Sequence, residues 1–269
     1  MKALALVCAL LLLIGTAPGQ GRRGQSSRNQ SPRDLTPLPA PEDSGKKSEF
    51  TFVRTIYGSG RGGFGRGGGS WATDFPQADY HFTAGIRFWS GANLDISTMP
   101  KQIQLMDEKL FYYPLIYFVE PGFMELSEEE SLKLREYVLR GGFLFLDDFW
   151  GDYEWENVQR QLAKVFPEWA AADLPLNHPV FHAYFDIDKV IQVPGIGAWL
   201  GGGITYEKGG IVPHYMGIEN DRGRLVAFIS RNCDLGDAWE WIDDPRYPID
   251  FGLAAYKIGI NVITYAMTH

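Results

Sequence analysis

Apolar and polar positions alternate from Glu49 to Tyr57, with Phe50 and Phe52 set against Thr51 and Thr55, which is the period of a half-buried strand. The period then changes. Phe82, Ile86 and Trp89 stand four and three apart on one face of a predicted helix, entered through Trp71–Tyr80 with Asp79 as its candidate N-cap. A short strand near Ile103–Leu105 and a helical turn over Asp107–Tyr112 follow. The clearest unit runs from Leu115 to Trp150. Leu115–Val119 is a continuous apolar run, as in a strand buried on both faces, and Glu120-Pro121-Gly122 ends it. Ser127 to Glu130 spells a capping box with acids at the positive end of a helix. Leu134, Tyr137 and Val138 share a helical face, Gly141-Gly142 stops the helix, and Phe143–Leu146 is a second apolar strand. Strand, helix and strand within about thirty residues make a βαβ crossover. Its natural completion is a mostly parallel sheet with helices on both faces.

Beyond that unit, Trp155, Val158, Leu162 and Val165 mark another helix, closed by Pro167. Lys189–Val193 reads as a short strand. Ile211–Glu219 and Arg224–Ser230, joined by Asn220 to Gly223, read as a β-hairpin. Phe251, Ala254, Ala255, Ile258, Val262 and Tyr265 give a final amphipathic helix.

The first residues break this pattern. Lys2 followed by the apolar run Ala3–Ile14 and the small residues Thr16-Ala17-Pro18-Gly19 reads as a secretory signal over 1–19. It predicts export to a periplasm or the outside of the cell, with no membrane span after cleavage. Residues 20–48, rich in Gly, Arg, Ser, Gln and Pro without an apolar period, read as a disordered linker, and 49–269 as one α/β domain. The linker holds six Lys/Arg and three acids; Lys2 adds one more positive charge. The chain's −8 therefore leaves −12 on residues 49–269. So acidic a domain does not suit nucleic-acid phosphates. An apolar share of 45% with 22% charged residues fits a globular domain and excludes a polytopic membrane protein. Of the two cysteines, signal cleavage removes Cys8 and leaves Cys233 without an intramolecular partner.

Open α/β sheets bind ligands outside the carboxyl ends of their strands. Two predicted strand ends carry acids here, Glu120 and the pair Asp147-Asp148. Consecutive strand residues face opposite ways, so one of the pair enters a crevice unless the chain turns there. Further polar clusters are Asn177-His178-Pro179 with His182, and Asn232 to Asp237 with Glu240. Three chemistries compete for them. Asp147, Asp148 and His178 could hold a divalent metal, with Glu120 as a partner, although the spacing matches no metal motif. Cys233 could act as a nucleophile with His178, His182 or His214, but Asp234 and Asp237 raise a thiol pKa rather than activate it. Trp150, Trp155, Trp199, Trp239 and Trp241 among acids suit sugars or cationic groups; core packing is the plainer role for each. The glycine-rich run Gly58–Gly69, with Arg61 and Arg66, lacks the Lys-Ser/Thr ending of a phosphate-binding loop and reads as a loop insertion.

Several stretches together resemble the bacterial domain-of-unknown-function family numbered 4159: Phe50–Tyr57, Trp71–Asp79, Tyr113–Gly122, Leu134–Gly151, His178–Phe181, Gly223–Glu240 and Tyr256–His269. The glycine- and arginine-rich run looks longer than the family's usual turn. The resemblance implies a flavodoxin-like three-layer sandwich similar to class I glutamine amidotransferases, without their reaction. Where those enzymes place a nucleophilic Cys after a strand, this chain has Asp147-Asp148.

The expectation is an exported domain that binds a small ligand or envelope carbohydrate at its strand ends. The ligand-binding candidates are Trp71, Asp74, Asp79, Trp150, Asp234, Asp237 and Glu240. The alternatives are a metal-assisted hydrolase of envelope carbohydrate or peptide, using Asp147, Asp148, Glu120 and His178, and a structural partner in an envelope protein complex. A divalent metal is the one cofactor contemplated.

Overall fold

The computed structural model describes residues 48–59, 70–91 and 95–269. The expected signal segment 1–19, the linker up to residue 47 and most of the glycine-rich run lie outside the described residues.

Seven strands form one sheet: β1 (Val53–Ile56), β2 (Lys101–Gln104), β3 (Leu115–Val119), β4 (Phe143–Phe149), β5 (Ala172–Asp173), β6 (His214–Glu219) and β7 (Leu225–Arg231). Their spatial order is β2-β1-β3-β4-β7-β6-β5. The first five in that order are mutually parallel, while β6 and β5 add an antiparallel edge. The predicted hairpin is thus the seam between the two parts, because β7 pairs with β4 on one side and with β6 on the other.

Alternation along the strands sorts side chains onto two faces. Val53, Ile116, Phe118, Leu144, Leu146 and Ile229 join the core under α2 (Glu128–Leu139) and α3 (Gly151–Val165). Phe52, Tyr117, Phe145 and Phe228 face the other way, into an aromatic core with Phe82 and Trp239. That second face is covered by α1 (Gln77–Ser90), α5 (Leu235–Glu240) and α6 (Ile249–Thr268). Phe82 of α1 and Trp239 of α5 stack at 3.9 Å between ring centroids. A short helix, α4 (Ile196–Leu200), lies in the connection between β5 and β6. The result is a three-layer, flavodoxin-like α/β sandwich. Among the described residues no helix is long and apolar enough to cross a membrane.

The local signals acted as their chemistry predicts. Ser127 Oγ accepts from the Glu130 amide at 3.1 Å and Glu130 Oε2 accepts from the Ser127 amide at 2.9 Å, the full capping box of α2. Two expectations fail. Lys189–Val193 is not a strand; its carbonyls instead accept from Tyr215 and from the Asp234 amide, at Ile191 and Val193 respectively. The edge position goes to Ala172–Asp173, too short for any periodicity to reveal. Asp79 is not an N-cap, because α1 already begins at Gln77 after Pro76 and leaves Asp79 inside the first turn.

A candidate cation site at the carboxyl ends of the strands

The strand order reverses between β1 and β3, since the chain leaves β1 toward β2 and returns on the other side. In a doubly wound sheet that reversal opens the crevice used by ligands. Asp74 follows β1, Glu120 follows β3, Asp148 ends β4, and Asp234 and Asp237 follow β7, so the topology gathers them at one end of the sheet.

The backbone is bent to bring them in. Five non-glycine residues among those described have a left-handed φ: Asp74 (60°), Glu120 (46°), Asp148 (56°), Lys208 (45°) and Asn232 (59°). All five stand at this end. Each costs on the order of 1 kcal/mol or more relative to an ordinary conformation, and such residues gather where a side chain is needed in an awkward place. Asp148 is the clearest case. By simple alternation it would point under α2 and α3, away from Asp147. Instead the register of β4 against β7 shifts between Leu146 and Phe149, and the left-handed turn at Asp148 carries its carboxylate into the crevice.

One ligand oxygen from each of Asp74, Asp148 and Asp234 lies within 4.8 Å of the others, and Asp74, Asp237 and Glu240 form a second such group. The inner three differ from the outer ones in how they are satisfied. Asp148 Oδ1 accepts from Trp150 Nε1 at 2.9 Å, and Asp234 Oδ1 accepts from the Asp237 amide at 2.7 Å. Asp74 as a residue is half-buried; its Oδ2 is sealed from solvent, and its carboxyl shares a side-chain hydrogen bond with that of Asp237. Asp237 is engaged at both oxygens, by the Ile196 amide at 2.6 Å and Trp241 Nε1 at 3.2 Å.

Burial pushes the carboxyls of Asp74, Asp148 and Asp234 well above the usual carboxylate range, and neighbouring acids add to it: Asp237 on Asp74, Glu120 on Asp148, and Asp148 on Asp234. Burial also lifts Glu120 to about 7, against the opposing pull of the Lys208 ammonium and the Thr73 side chain. Lys208 spends its main contact on Glu154, at 2.7 Å. Arg54 is committed elsewhere as well. Its Nε donates to both oxygens of the buried Asp79, at 2.9 and 3.0 Å, and its Nη1 donates to the carbonyls of Trp71 and Thr73. Those two carbonyl bonds pin the segment that carries Asp74.

The residues singled out from sequence therefore divide. Asp74, Asp148, Asp234, Asp237, Glu240 and Glu120 share the crevice. Asp147 lies fully buried beside it, its Oδ2 accepting from Tyr117 and from the amides of Leu235 and Gly236, with burial lifting it to about 7. That is a post for the start of α5. Asp79 is used up by Arg54. Trp150 is buried and serves Asp148, while Trp71 is half-buried and packs against the α2/α3 core. Trp155 and Trp239 are core, and the half-buried Trp199 and Trp241 direct their indole N–H groups at Arg246 O and Asp237.

His178 does not join Asp147 and Asp148. It sits at the amino end of the parallel strands, 3.3 Å from Glu219 and against the Tyr265 ring. His182 pairs with Asp186 on the surface and His214 with Asp173 on the antiparallel edge. Cys233 is fully buried and burial pushes its thiol up to about 12, which leaves no thiolate at neutral pH.

Lys208, Glu154, Glu207 and Arg54 are participants the sequence did not announce. Lys208 and Glu207 fall in a glycine-rich connection with no period, and Arg54 hides in an apolar strand. The two glycines that face the acids were also silent: a Cβ on Gly195 would meet Glu207, Asp234 and Asp237, and one on Gly236 would meet Asp74 Oδ2 at 2.4 Å. A cleft of about 430 Å³ opens nearby between α3 and residues 122–125, but its lining mixes Arg160 and Lys164 with Glu125 and Glu156.

Fold and site together define a flavodoxin-like α/β sandwich with a crowded acidic crevice at the switch point of its sheet. Residues 51–267 match the family described as Domain of unknown function (DUF4159), and the chain belongs to that family. No curated protein matches the chain.

Proposed function

We propose that this is an exported binding domain whose strand-end crevice takes a cationic group, and that it has no amidotransferase activity. The observation that carries the reading is the convergence of all five left-handed non-glycine residues around carboxylates that outnumber the nearby cations. Strain and like-charge crowding both oppose folding, so a domain that keeps them at its ligand-binding end gains something there that a turn alone does not need. On the resemblance to amidotransferases drawn from the sequence, Asp147 and Asp148 would stand where those enzymes place a nucleophilic Cys, and the buried Cys233, its thiol pushed up to about 12, supports the absence of that chemistry.

The test is a thermal-shift panel on the full chain at pH 8. It holds divalent ions, spermidine and arginine amide on one side and phosphate, citrate and nucleotides on the other. At least one cationic probe raises Tm, and the rise vanishes in the double variant Asp148→Asn/Asp234→Asn. A rise confined to the anionic probes overturns the reading. So does release of ammonia from glutamine that is lost in Cys233→Ala.

A further inference from the structure

We infer that the connection Ile196–Val212 is a docking surface for a polypeptide segment in which Lys or Arg stands among apolar residues, the apolar side chains covering the connection and the basic ones meeting the acids beside it. This rests on the proposed binding of a cationic group and names the kind of partner that carries it.

The first observation is where apolar side chains are left uncovered. From Ile196 to Val212 the one buried residue is Gly210. The helix α4 is apolar throughout and buries none of its side chains. Ile211 and Val212 are 62% and 59% exposed, and Leu200, Ile204 and Tyr206 are exposed as well. Single exposed apolar residues need no explanation, but so many in one connection mark an interaction surface. The second observation is that polar bonds, not burial, hold this connection. Asn232 Nδ2 donates to Val212 O at 2.6 Å, Gln192 Nε2 to Gly210 O at 2.8 Å and Thr205 Oγ1 to Gln192 Oε1 at 2.9 Å. Lys208 meets Glu154 at 2.7 Å, and Trp199 Nε1 donates to Arg246 O at 3.1 Å. The backbone is thus fastened while its apolar side chains stay outside. A partner that meets them does not have to order the segment first, which lowers the cost of binding.

Charge selects the occupant. A Cβ on Gly195 would stand within 3.2 Å of Glu207, Asp234 and Asp237, so the connection borders the acids of the crevice. A second copy of the chain, docked through the same face, would set those acids against themselves. Anionic lipid headgroups meet the same repulsion. A bare inorganic cation leaves the apolar side chains uncovered. A basic segment with apolar neighbours answers both features, because the stems of Lys and Arg also lie along apolar surface while their charged heads reach the acids.

The experiment follows, by fluorescence anisotropy at pH 8, the binding of three short labelled peptides to the full chain: one alternating Leu and Arg, one Ser and Arg, one Leu and Glu. The Leu/Arg peptide is expected to bind at least tenfold more tightly than either other. Ile211→Asn/Val212→Asn should lower its affinity at least tenfold, with the circular dichroism spectrum unchanged. Leu132→Asn/Leu139→Asn, which removes two equally exposed side chains from α2, should leave it as it was and so exclude general stickiness. Asp148→Asn/Asp234→Asn should weaken both Arg peptides. If the Ser/Arg peptide binds as tightly as the Leu/Arg one and Ile211→Asn/Val212→Asn changes nothing, the inference fails while the cationic reading stands. If neither Arg peptide binds, the inference fails; the cationic reading fails with it only if the cationic probes of the thermal-shift panel are also silent. Equal binding of the Leu/Glu peptide, tighter binding to phosphatidylglycerol vesicles than to the Leu/Arg peptide, or a dimer in sedimentation that Ile211→Asn/Val212→Asn dissolves, each overturns it too.

Discussion

The two ends of the sheet solve the same turning problem differently. At the amino ends of the parallel strands, the left-handed positions are Gly91, Gly141 and Gly223, and nothing lies within 4 Å of where their Cβ atoms would be. Polar groups there find partners locally: His178 lies 3.3 Å from Glu219, and Arg224 donates to the carbonyls of Gly141 and His269. At the carboxyl ends, glycines turn the chain at Gly151 and Gly209, but left-handed turns also fall on Asp74, Glu120, Asp148, Lys208 and Asn232, and several of the acids face one another. Where a turn is all that is needed, glycine supplies it without steric penalty. Where the turn must also deliver a side chain, the strain stays. The difference marks the carboxyl end as the end at which side-chain identity matters.

The largest effect is expected where the two kinds of buried acid can be set side by side. Asp79 is as buried as any group in the crevice, but Arg54 answers it in full. Arg54→Met leaves Asp79 without a partner and frees the carbonyls of Trp71 and Thr73. It should destabilise the domain by about 3–5 kcal/mol, read from chemical denaturation. It should also loosen the segment carrying Asp74, so crevice binding weakens beyond what partial unfolding explains. The double variant Arg54→Met/Asp79→Leu should regain much of the stability and none of the binding. A single Arg54→Met variant as stable as wild type would break the contrast between answered and unanswered acids.

The sequence carried more of the fold than of the site, for a physical reason. The β3–α2–β4 unit was legible because continuous apolar strands, a capping box and a glycine stop each act within a few residues. The strand-end acids Glu120, Asp148 and Asp234 were legible because the fold class says where ligands bind. Which acids meet was not. Alternation sends Asp148 away from Asp74, and only the bulge and left-handed turn at Asp148 reverse that. Nothing local separated Asp79 from Asp74: both lie near Arg54 of β1, but only Asp79 is hydrogen-bonded to it. His178 looked like a metal ligand because histidine is a common one; its distance from Asp148 depends on the path of the chain after β5, a two-residue strand that no periodicity reveals.

A middle-sized effect concerns pH. Acids whose carboxyls are held high in the fold bind more protons folded than unfolded between their two pKa values. The folded state is then favoured at low pH and loses that advantage as pH rises. With Glu120 and Asp147 lifted to about 7 and Asp74, Asp148 and Asp234 also held well above the usual carboxylate range, stability in chelator-containing buffer should fall from about pH 4.5 upward through pH 7. Asp148→Asn removes one of these charges and keeps the shape. It should raise stability at pH 8 and change it little at pH 5, seen as a flatter plot of Tm against pH. A cationic group bound in the crevice should do the same for the wild-type chain and not for the variant. A wild-type Tm that rises steadily from pH 5 to pH 8 without any cation would show the crevice acids to be well solvated and their crowding harmless.

The smallest effects test the glycines against the strained residues directly. Gly223 turns β6 into β7 with φ of 70° and open space beside it. Asn, which tolerates that conformation, should cost only a few tenths of a kcal/mol there, and Ala about 1 kcal/mol. Neither should touch cation binding, because the position only steers the backbone. Asp148→Gly is the mirror case. It relieves a left-handed aspartate and a crowded charge, so the folded chain should be at least as stable as wild type at pH 8, by about 1 kcal/mol from the backbone alone. It removes the oxygen that the turn exists to deliver, so binding should disappear while stability does not. If Asp148→Gly lost stability as Gly223→Ala does, the left-handed aspartate would be holding the fold together rather than serving a ligand, and the two ends of the sheet would differ only in composition.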